Sequence, residues 1–255
     1  MNLNKFKDDF KNSRIIKSEY IDKMHNLHEV LYEYAEFIKS TDIKEIEITG
    51  DSVIMTTRRN NIKMVCDKYD KRIIPIEILN FDAYEKEDLD MLLCLIEGGS
   101  TIFDIGANIG WYSINIAKMR GNTKVFAFEP IPKTYDYLAQ NISLNTVTNI
   151  HPHNFGFSSQ EQDLEFYYYP EGSGNASLAN LSENKGVKKI TCQVKKLDDF
   201  INASSLGVDF IKCDVEGAEL FVFQGGIETI KNQKPMVFTE LLRKWSAKFN
   251  YHPNE

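Results

Sequence analysis

Along residues 1–40 the apolar positions recur every three or four residues. Met24, Leu27, Leu31, Tyr34 and Ile38 fall on one stripe, which predicts an amphipathic helix. Such a stripe packs on its own domain more often than it binds a partner, and a homodimer contact through this helix is the other reading. Residues 44–79 change period: Ile46/Ile48, Val53/Met55 and Ile62/Met64 alternate, with turn signals at Gly50-Asp51 and Asn60-Asn61, which predicts a small antiparallel meander. A helical pattern returns over 84–96 (Leu89, Leu92, Leu93, Ile96) and stops at Gly98-Gly99. From there strand and helix alternate. Strands are expected at Thr101–Asp104, Lys124–Glu129, Asn149–His153, Val208–Asp214 and Met236–Glu240. Helices are expected over Tyr112–Met119, through Tyr137 and Leu138, at Asp198-Asp199, and over 218–231. This alternation argues a doubly wound, mainly parallel α/β sheet. One stretch breaks the rhythm: Leu164–Tyr169 and Lys189–Lys195 pattern as paired strands around a Gly/Ser/Asn-rich loop, 172–186. The expected organisation is an N-terminal helix and β cap over 1–80, then an α/β domain over 81–255 with a hairpin insertion at about 164–195.

Composition narrows the function without naming it. The 255 residues hold 42% hydrophobic and 26% charged side chains, ordinary for a globular protein, with a net charge of −7. The basic residues are dispersed among acids, so no clustered cationic face for a phosphate backbone is expected. Cys66, Cys94, Cys192 and Cys213 lie far apart with no Cys-x-x-Cys spacing, and read as four buried, reduced thiols of a cytoplasmic protein. The N-terminal residues contain no apolar signal core, and the longest apolar run, Met91 to Ile96, is too short for a bilayer. His25 and His28 share a helix face without further ligands and read as surface histidines. His151 and His153 read as structural, and no full metal ligand set is evident.

In an open parallel sheet, ligands sit beyond the carboxyl ends of the strands. The candidates there are Asp104, Glu129, the Asn154–Ser158 turn, Asp214 and Glu240. A carboxylate at the end of the second strand, Glu129, can accept both hydroxyls of a ribose, which serves nicotinamide and sulfonium nucleosides alike. The turn separates them. A pyrophosphate calls for Gly-x-Gly-x-x-Gly and no nearby anion. Here Asn108 stands where the second glycine would be, and Asp104 adds negative charge. A cationic ligand would be drawn to Asp104 by Coulomb attraction, so Asp104-x-Gly106-x-x-x-Gly110 favours methyl transfer over hydride transfer.

The motif Asp104-Ile-Gly-Ala-Asn-Ile-Gly110, the run Ala127-Phe-Glu-Pro130, the Gly156-Phe-Ser158 turn and above all Phe210-Ile-Lys-Cys-Asp-Val-Glu-Gly-Ala-Glu219, with Gly225-Gly226 and Pro235–Glu240, resemble the FkbM family of S-adenosylmethionine-dependent methyltransferases over about residues 81–245. The resemblance implies a class I methyltransferase fold and S-adenosyl-L-methionine as cofactor. It implies that Asp104, Gly106, Ala107, Asn108 and Gly110 line the methionine and ribose part. Glu129, followed by Pro130, would hold the ribose hydroxyls, and the turn from Asn154 to Ser158 would flank adenine. Glu85, after Tyr84, would reach over the cofactor, and the stretch from Asp214 to Glu219 would face the methyl. That fold ordinarily continues past the fifth strand with a helix and two antiparallel strands, which this sequence is expected to lack.

A sulfonium methyl is already activated, so alignment is the main requirement, and a hydroxyl acceptor gains from a base. Glu216, Asp214 and Glu219 are candidate bases, with Glu216 foremost. Lys212 would serve only if burial lowered its pKa, and pairing with a carboxylate is its other reading. The resemblance implies O-methylation of a sugar, glycan or secondary metabolite, with a small-molecule or glycan acceptor as partner; the charge balance and the short apolar runs argue against nucleic acid and membrane as partners. The rival readings are a nicotinamide-dependent oxidoreductase, a non-catalytic adenosyl-binding module and an RNA methyltransferase.

Overall fold

A computed structural model of the chain describes residues 3–172, 177–178 and 186–254. The chain opens with two helices, α1 (Leu3–Lys11) and α2 (Lys17–Phe37). They pack on each other through a Phe10–Tyr20 ring stack and the Lys23 ammonium over Phe6. The apolar stripe meets the domain at its C-terminal end, where Ile38 packs against the core. Met24, Leu27 and Ile38 are half-covered, whereas Leu31 and Tyr34 stay 51% and 43% exposed. Three antiparallel strands follow: β1 (Ile43–Ile48), β2 (Val53–Thr57) and β3 (Lys63–Cys66). Asn60 and Asn61 both take positive φ at the second turn, a conformation asparagine tolerates better than most side chains.

Helices α3 (Ile74–Phe81) and α4 (Lys86–Leu95) lead into the main sheet of β4 (Thr101–Ile105), β5 (Lys124–Phe128), β6 (Ile150–His153), β10 (Phe210–Cys213) and β11 (Met236–Thr239). Its order is β11-β10-β4-β5-β6 and every pairing is parallel. After β4 the chain moves outward through α5 (Trp111–Met119) to β5, then through α6 (Pro132–Leu144) to β6. It later returns to β10 on the other side of β4. The connections reverse between β4 and β10, and in such sheets the ligand crevice opens at that point.

Alternation along the strands divides the interior. Ile102, Val125, Ala127, Ile150 and Phe210 face one side and share a continuous core with Met55, Met64, Ile78 and Leu92 of the cap and its helices. Phe103, Ile105, Phe126, Phe128, Ile211 and Cys213 face the other side, against α7 (Leu197–Ser204) and α8 (Glu219–Gly225). His151 and His153 stack on Phe126. The hairpin strands β8 (Gln162–Tyr168) and β9 (Lys188–Lys195) pair antiparallel, and the short β7 (Gly156–Phe157) joins β9 in parallel. Most of the loop expected over 172–186 lies outside the described residues.

Several boundaries differ from the sequence pattern: the meander ends at Cys66 and helix α3 occupies the end of the stretch expected as strands, and β5, β10 and β11 each stop one residue short of the expected carboxylate. The helix expected over 218–231 is two, α8 and α9 (Ile227–Gln233). The break falls at Gly225-Gly226, where a Cβ on Gly225 would stand 2.1 Å from the Ser158 carbonyl oxygen and one on Gly226 2.6 Å from Leu197. Strand β4 runs one residue further than expected, to Ile105, so Asp104 lies within it rather than at the rim. A short helix, α10 (Arg243–Ser246), follows β11. Among the described residues no helix is long and apolar enough to cross a membrane.

Candidate active site

The crevice between β4 and β10 is built around a tight turn. Gly106 and Gly110 have φ of 79° and 95°, and Asn108, at φ 50°, takes the left-handed conformation where a glycine could also stand. Gly106 cannot be replaced without movement, because a Cβ there would stand 1.9 Å from the Asp214 carbonyl oxygen. Gly110 is needed for another reason. Its Cβ would meet Leu138 at 2.7 Å, so the bare position lets α5 approach α6. Gly106, Ala107, Asn108, Glu129, Pro130, Tyr84, Trp111, Tyr112, Lys212, Asp214 and Glu216 all line the cleft.

At one end, Glu129 is tied down by the main chain. Its Oε2 accepts the Asn108 N–H at 3.0 Å and its Oε1 accepts the Ile131 N–H at 2.9 Å. Burial pushes its pKa up to about 7, against the lowering effect of those two donors. A carboxylate oxygen has more than one lone-pair site, so the group can hold its backbone donors and still accept hydroxyls from a ligand in the cleft.

The other end is organised by Lys212. The parallel register sets Lys212 beside Asp104, and its Nζ lies 3.4 Å from Asp104 Oδ1 and 3.6 Å from Asp214 Oδ2. The ammonium donates to the Gly106 carbonyl at 2.9 Å and sits 5.1 Å over the Tyr112 ring. Burial alone would lower its pKa, but the Asp104 and Asp214 carboxylates override that and raise it above the ordinary lysine value. Lys212 is a fixed cation, not a base. Asp104 is fully buried and accepts the Ser113 hydroxyl at 2.6 Å. Its charge is spent on Lys212 beneath the turn, and it does not line the cleft as a direct partner for a cationic ligand.

Other expected residues also serve the frame. Glu219 Oε1 accepts the N–H groups of Val215 and Gly217 at 3.0 and 3.1 Å, folding the turn before α8. Engaged and 1% exposed, it is no base. Asn154 donates to the Glu129 and Pro130 carbonyls at 2.9 and 3.2 Å, and the Ser158 N–H bonds the Lys195 carbonyl. Neither residue reaches the cleft, because β7 draws this turn into the hairpin sheet. Glu85 does not reach it either; its Oε2 accepts the Tyr112 hydroxyl at 2.7 Å, and Tyr84 lines the wall instead. Trp111 and Tyr112 were not singled out by sequence. Their signal was their place directly after Gly110, at the first helical positions of α5.

Glu216 differs from all of these. Its backbone is left-handed, with φ 55°, which turns the side chain into the cleft. Among the described residues its Oε2, Asp214 Oδ1 and Trp111 Nε1 are buried without a hydrogen-bond partner. Burial, reinforced by Asp214 and Glu240, raises the Glu216 pKa to about 8. Burial and Asp214 likewise raise that of the more exposed Glu240. Among the described residues no group of three or more His, Cys, Asp or Glu is arranged to hold a metal ion.

A family model described as the methyltransferase FkbM domain matches residues 104–254, more than half of the chain. Methyltransferase sdnD of Sordaria araneosa is 31% identical over 153 residues, 49% of this chain and 59% of that protein. The hexuronic acid methyltransferase AglP of Haloferax volcanii is 30% identical, over 55% of this chain and 56% of its own length. The 2-O-methyltransferase NoeI of Sinorhizobium fredii is 29% identical, over 54% and 62%. The chain thus spans less than two thirds of the curated relatives it matches. Among solved structures, P. horikoshii TYW2 in complex with MeSAdo overlays with a TM-score of 0.34 at 24% identity, covering 52% of this chain and 50% of that one.

Proposed function

We propose that this chain, which belongs to the FkbM methyltransferase family, methylates a hydroxyl of a sugar, glycan or secondary metabolite with Glu216 as general base. The cofactor is S-adenosyl-L-methionine, and the cleft fits it. Glu129 is oriented to take ribose hydroxyls, the Gly106–Gly110 turn brings bare backbone to the ligand, and Asp214 Oδ1 offers an open acceptor. When bound, the cofactor supplies a methyl on a positively charged sulfur, and in the transfer the acceptor oxygen–carbon bond forms as the carbon–sulfur bond breaks.

The chain supplies placement and a proton acceptor. Lys212 fixes the turn through the Gly106 carbonyl and holds Asp214, so the cleft does not reorganise as the reaction proceeds. The acceptor's proton passes to Glu216. The carrying observation is that Glu216 Oε2 is buried in the cleft and uncommitted among the described residues, with a pKa of about 8, close to the operating range a base requires. The relatives AglP and NoeI, by name a hexuronic acid methyltransferase and a 2-O-methyltransferase, support a sugar hydroxyl as the acceptor. A net charge of −7 disfavours nucleic acid as substrate. Four unpaired thiols suit a reducing, cytoplasmic setting, although only Cys192 and Cys213 are buried as expected; Cys66 is half-buried and Cys94, on α4, is exposed.

The test is titration with S-adenosylhomocysteine followed by methyl transfer to a panel of glycosides. Glu216→Gln is expected to bind S-adenosylhomocysteine normally and to lose roughly 10²–10⁴-fold in turnover, the usual worth of a positioned base. Near-normal turnover in that variant would remove Glu216 from the role.

A further inference from the structure

A second cavity of about 300 Å³ adjoins the cleft, and the two share Tyr84 and Trp111 as a common wall. Tyr84 and Trp111 pack edge to face, with centroids 6.0 Å apart. This wall lines the cleft together with Tyr112 and Asp214. The far side of the cavity is formed by the cap. Asp42 and Arg59 come from the ends of its strands, Asp82 from the segment joining α3 to α4, and Lys86 from the first position of α4.

Two residues of its lining carry buried donors without a partner among the described residues. Trp111 is 5% exposed, yet among the described residues its Nε1 has no partner, and neither does the buried Nη1 of Arg59. Leaving buried donors unpaired is costly, so a ligand that accepts from them recovers that free energy. Arg59 is held from its other side by Asp90 through Nη2, and its main-chain N–H donates to Asp42 Oδ1 at 2.9 Å. The guanidinium is thus placed with one nitrogen left over.

The charges of the lining choose the ligand. Arg59 and Lys86 are matched by Asp42 and Asp82, so the cavity carries no net charge to draw an anion. Interspersed donors and acceptors beside an aromatic wall suit a neutral polyhydroxyl ring, whose hydroxyls both donate and accept and whose C–H face packs on an aromatic face. We infer that this cavity is a neutral-saccharide subsite: it holds the sugar next to the one being methylated, so that the acceptor spans the Tyr84–Trp111 wall. This rests on the reading of the cleft as a methyltransferase site.

The experiment is saturation-transfer NMR and calorimetry on the full chain, with and without S-adenosylhomocysteine. The probes are methyl glucoside, methyl galactoside, the disaccharides maltose and lactose, glucuronate and glucose 1-phosphate. At least one disaccharide is expected to bind about ten-fold more tightly than its monosaccharide, the scale of one net hydrogen bond to a charged donor. Arg59→Gln is expected to erase that difference while leaving S-adenosylhomocysteine affinity and melting temperature unchanged. Lys86→Ala, at an exposed position, gives a smaller loss and guards against misfolding of the first variant. Equal affinity for mono- and disaccharides, preference for the anionic sugars, or indifference to both substitutions would overturn the subsite. Failure of S-adenosylhomocysteine to bind would instead strike the cofactor reading, because saccharide binding is measured without it as well.

Discussion

The two ends of the cleft are both carboxylate-lined and are built on opposite plans. At the Glu129 end the carboxylate is pinned by two main-chain donors from the Asn108 and Ile131 positions, so its geometry is set by the backbone before any ligand arrives. At the Asp214 end three acids gather: behind burial, the Asp214 charge helps raise the pKa of both Glu216 and Glu240, and the Lys212 ammonium that pairs with Asp214 lies below the cleft turn. The first plan suits holding a neutral, donating group. The second stores an unpaired acceptor, which is costly in a resting protein and useful when a proton must be taken.

Removing the cation that supports the second end is the harshest test. Lys212→Met would leave Asp104 buried with its charge uncompensated and would free the Gly106 carbonyl. Losing one partner of a buried pair costs about 3–5 kcal/mol, so urea unfolding should show a drop of that order, with loss of S-adenosylhomocysteine binding. If the variant kept wild-type stability, Lys212 would not be what holds the turn and β10 together.

Glu129→Ala attacks the other end; it also leaves the Asn108 and Ile131 N–H groups without their acceptor, so its stability is read separately by urea unfolding. Two hydroxyl bonds to a charged group, at about 1.5 kcal/mol each, put the expected loss of S-adenosylhomocysteine affinity on the order of 10²-fold by calorimetry. A change of two-fold or less would mean that the ribose does not sit on Glu129.

How differently the two ends were foretold has a physical cause. The parallel sheet, the turn at Gly106 and the carboxylate of Glu129 were legible because period, glycine and strand-end position are local properties. The role of Asp104 was not. Its neutralisation depends on the β4–β10 register that places Lys212 beside it, a pairing between residues about a hundred positions apart in sequence. The same holds for Glu219 and Ser158, whose candidate chemistry disappears once their partners in the turn before α8 and in the hairpin sheet are known. Conversely Asn108 looked like a missing glycine, and the left-handed backbone it adopts shows that asparagine fills the conformational role without loss.

The two plans should also separate by pH. Glu129, with a pKa raised to about 7, must be ionised to accept from both main-chain donors and a ribose. S-adenosylhomocysteine affinity should therefore climb up to about pH 7 and level off. Glu216, at about 8, should give kcat/KM a rising limb one unit higher, absent in Glu216→Gln. The sign for stability is opposite. Both folded pKa values lie above the ordinary glutamate value of 4.5, so the folded state binds the extra protons. Stability from these groups is full below that value and is lost as pH rises through 7 and then 8. A single limb shared by affinity and turnover would merge the two ends into one titrating unit.

The mildest test lies at the edge of the second end. Tyr112 donates its hydroxyl to Glu85 at 2.7 Å while its ring lies under the Lys212 ammonium. Tyr112→Phe keeps the ring and its attraction for the cation, and removes one hydrogen bond whose acceptor residue is exposed and can turn to water. The expected cost is about 1 kcal/mol, read as a fall of about 2–4 °C in melting temperature for a chain of this size, with turnover within a few-fold of wild type. A turnover loss beyond about 10²-fold, at unchanged affinity for S-adenosylhomocysteine, would show instead that Glu85 acts with Asp214 and Glu216. The acidic end would then extend across the α5 helix, and the proton's route from the acceptor would have two destinations rather than one.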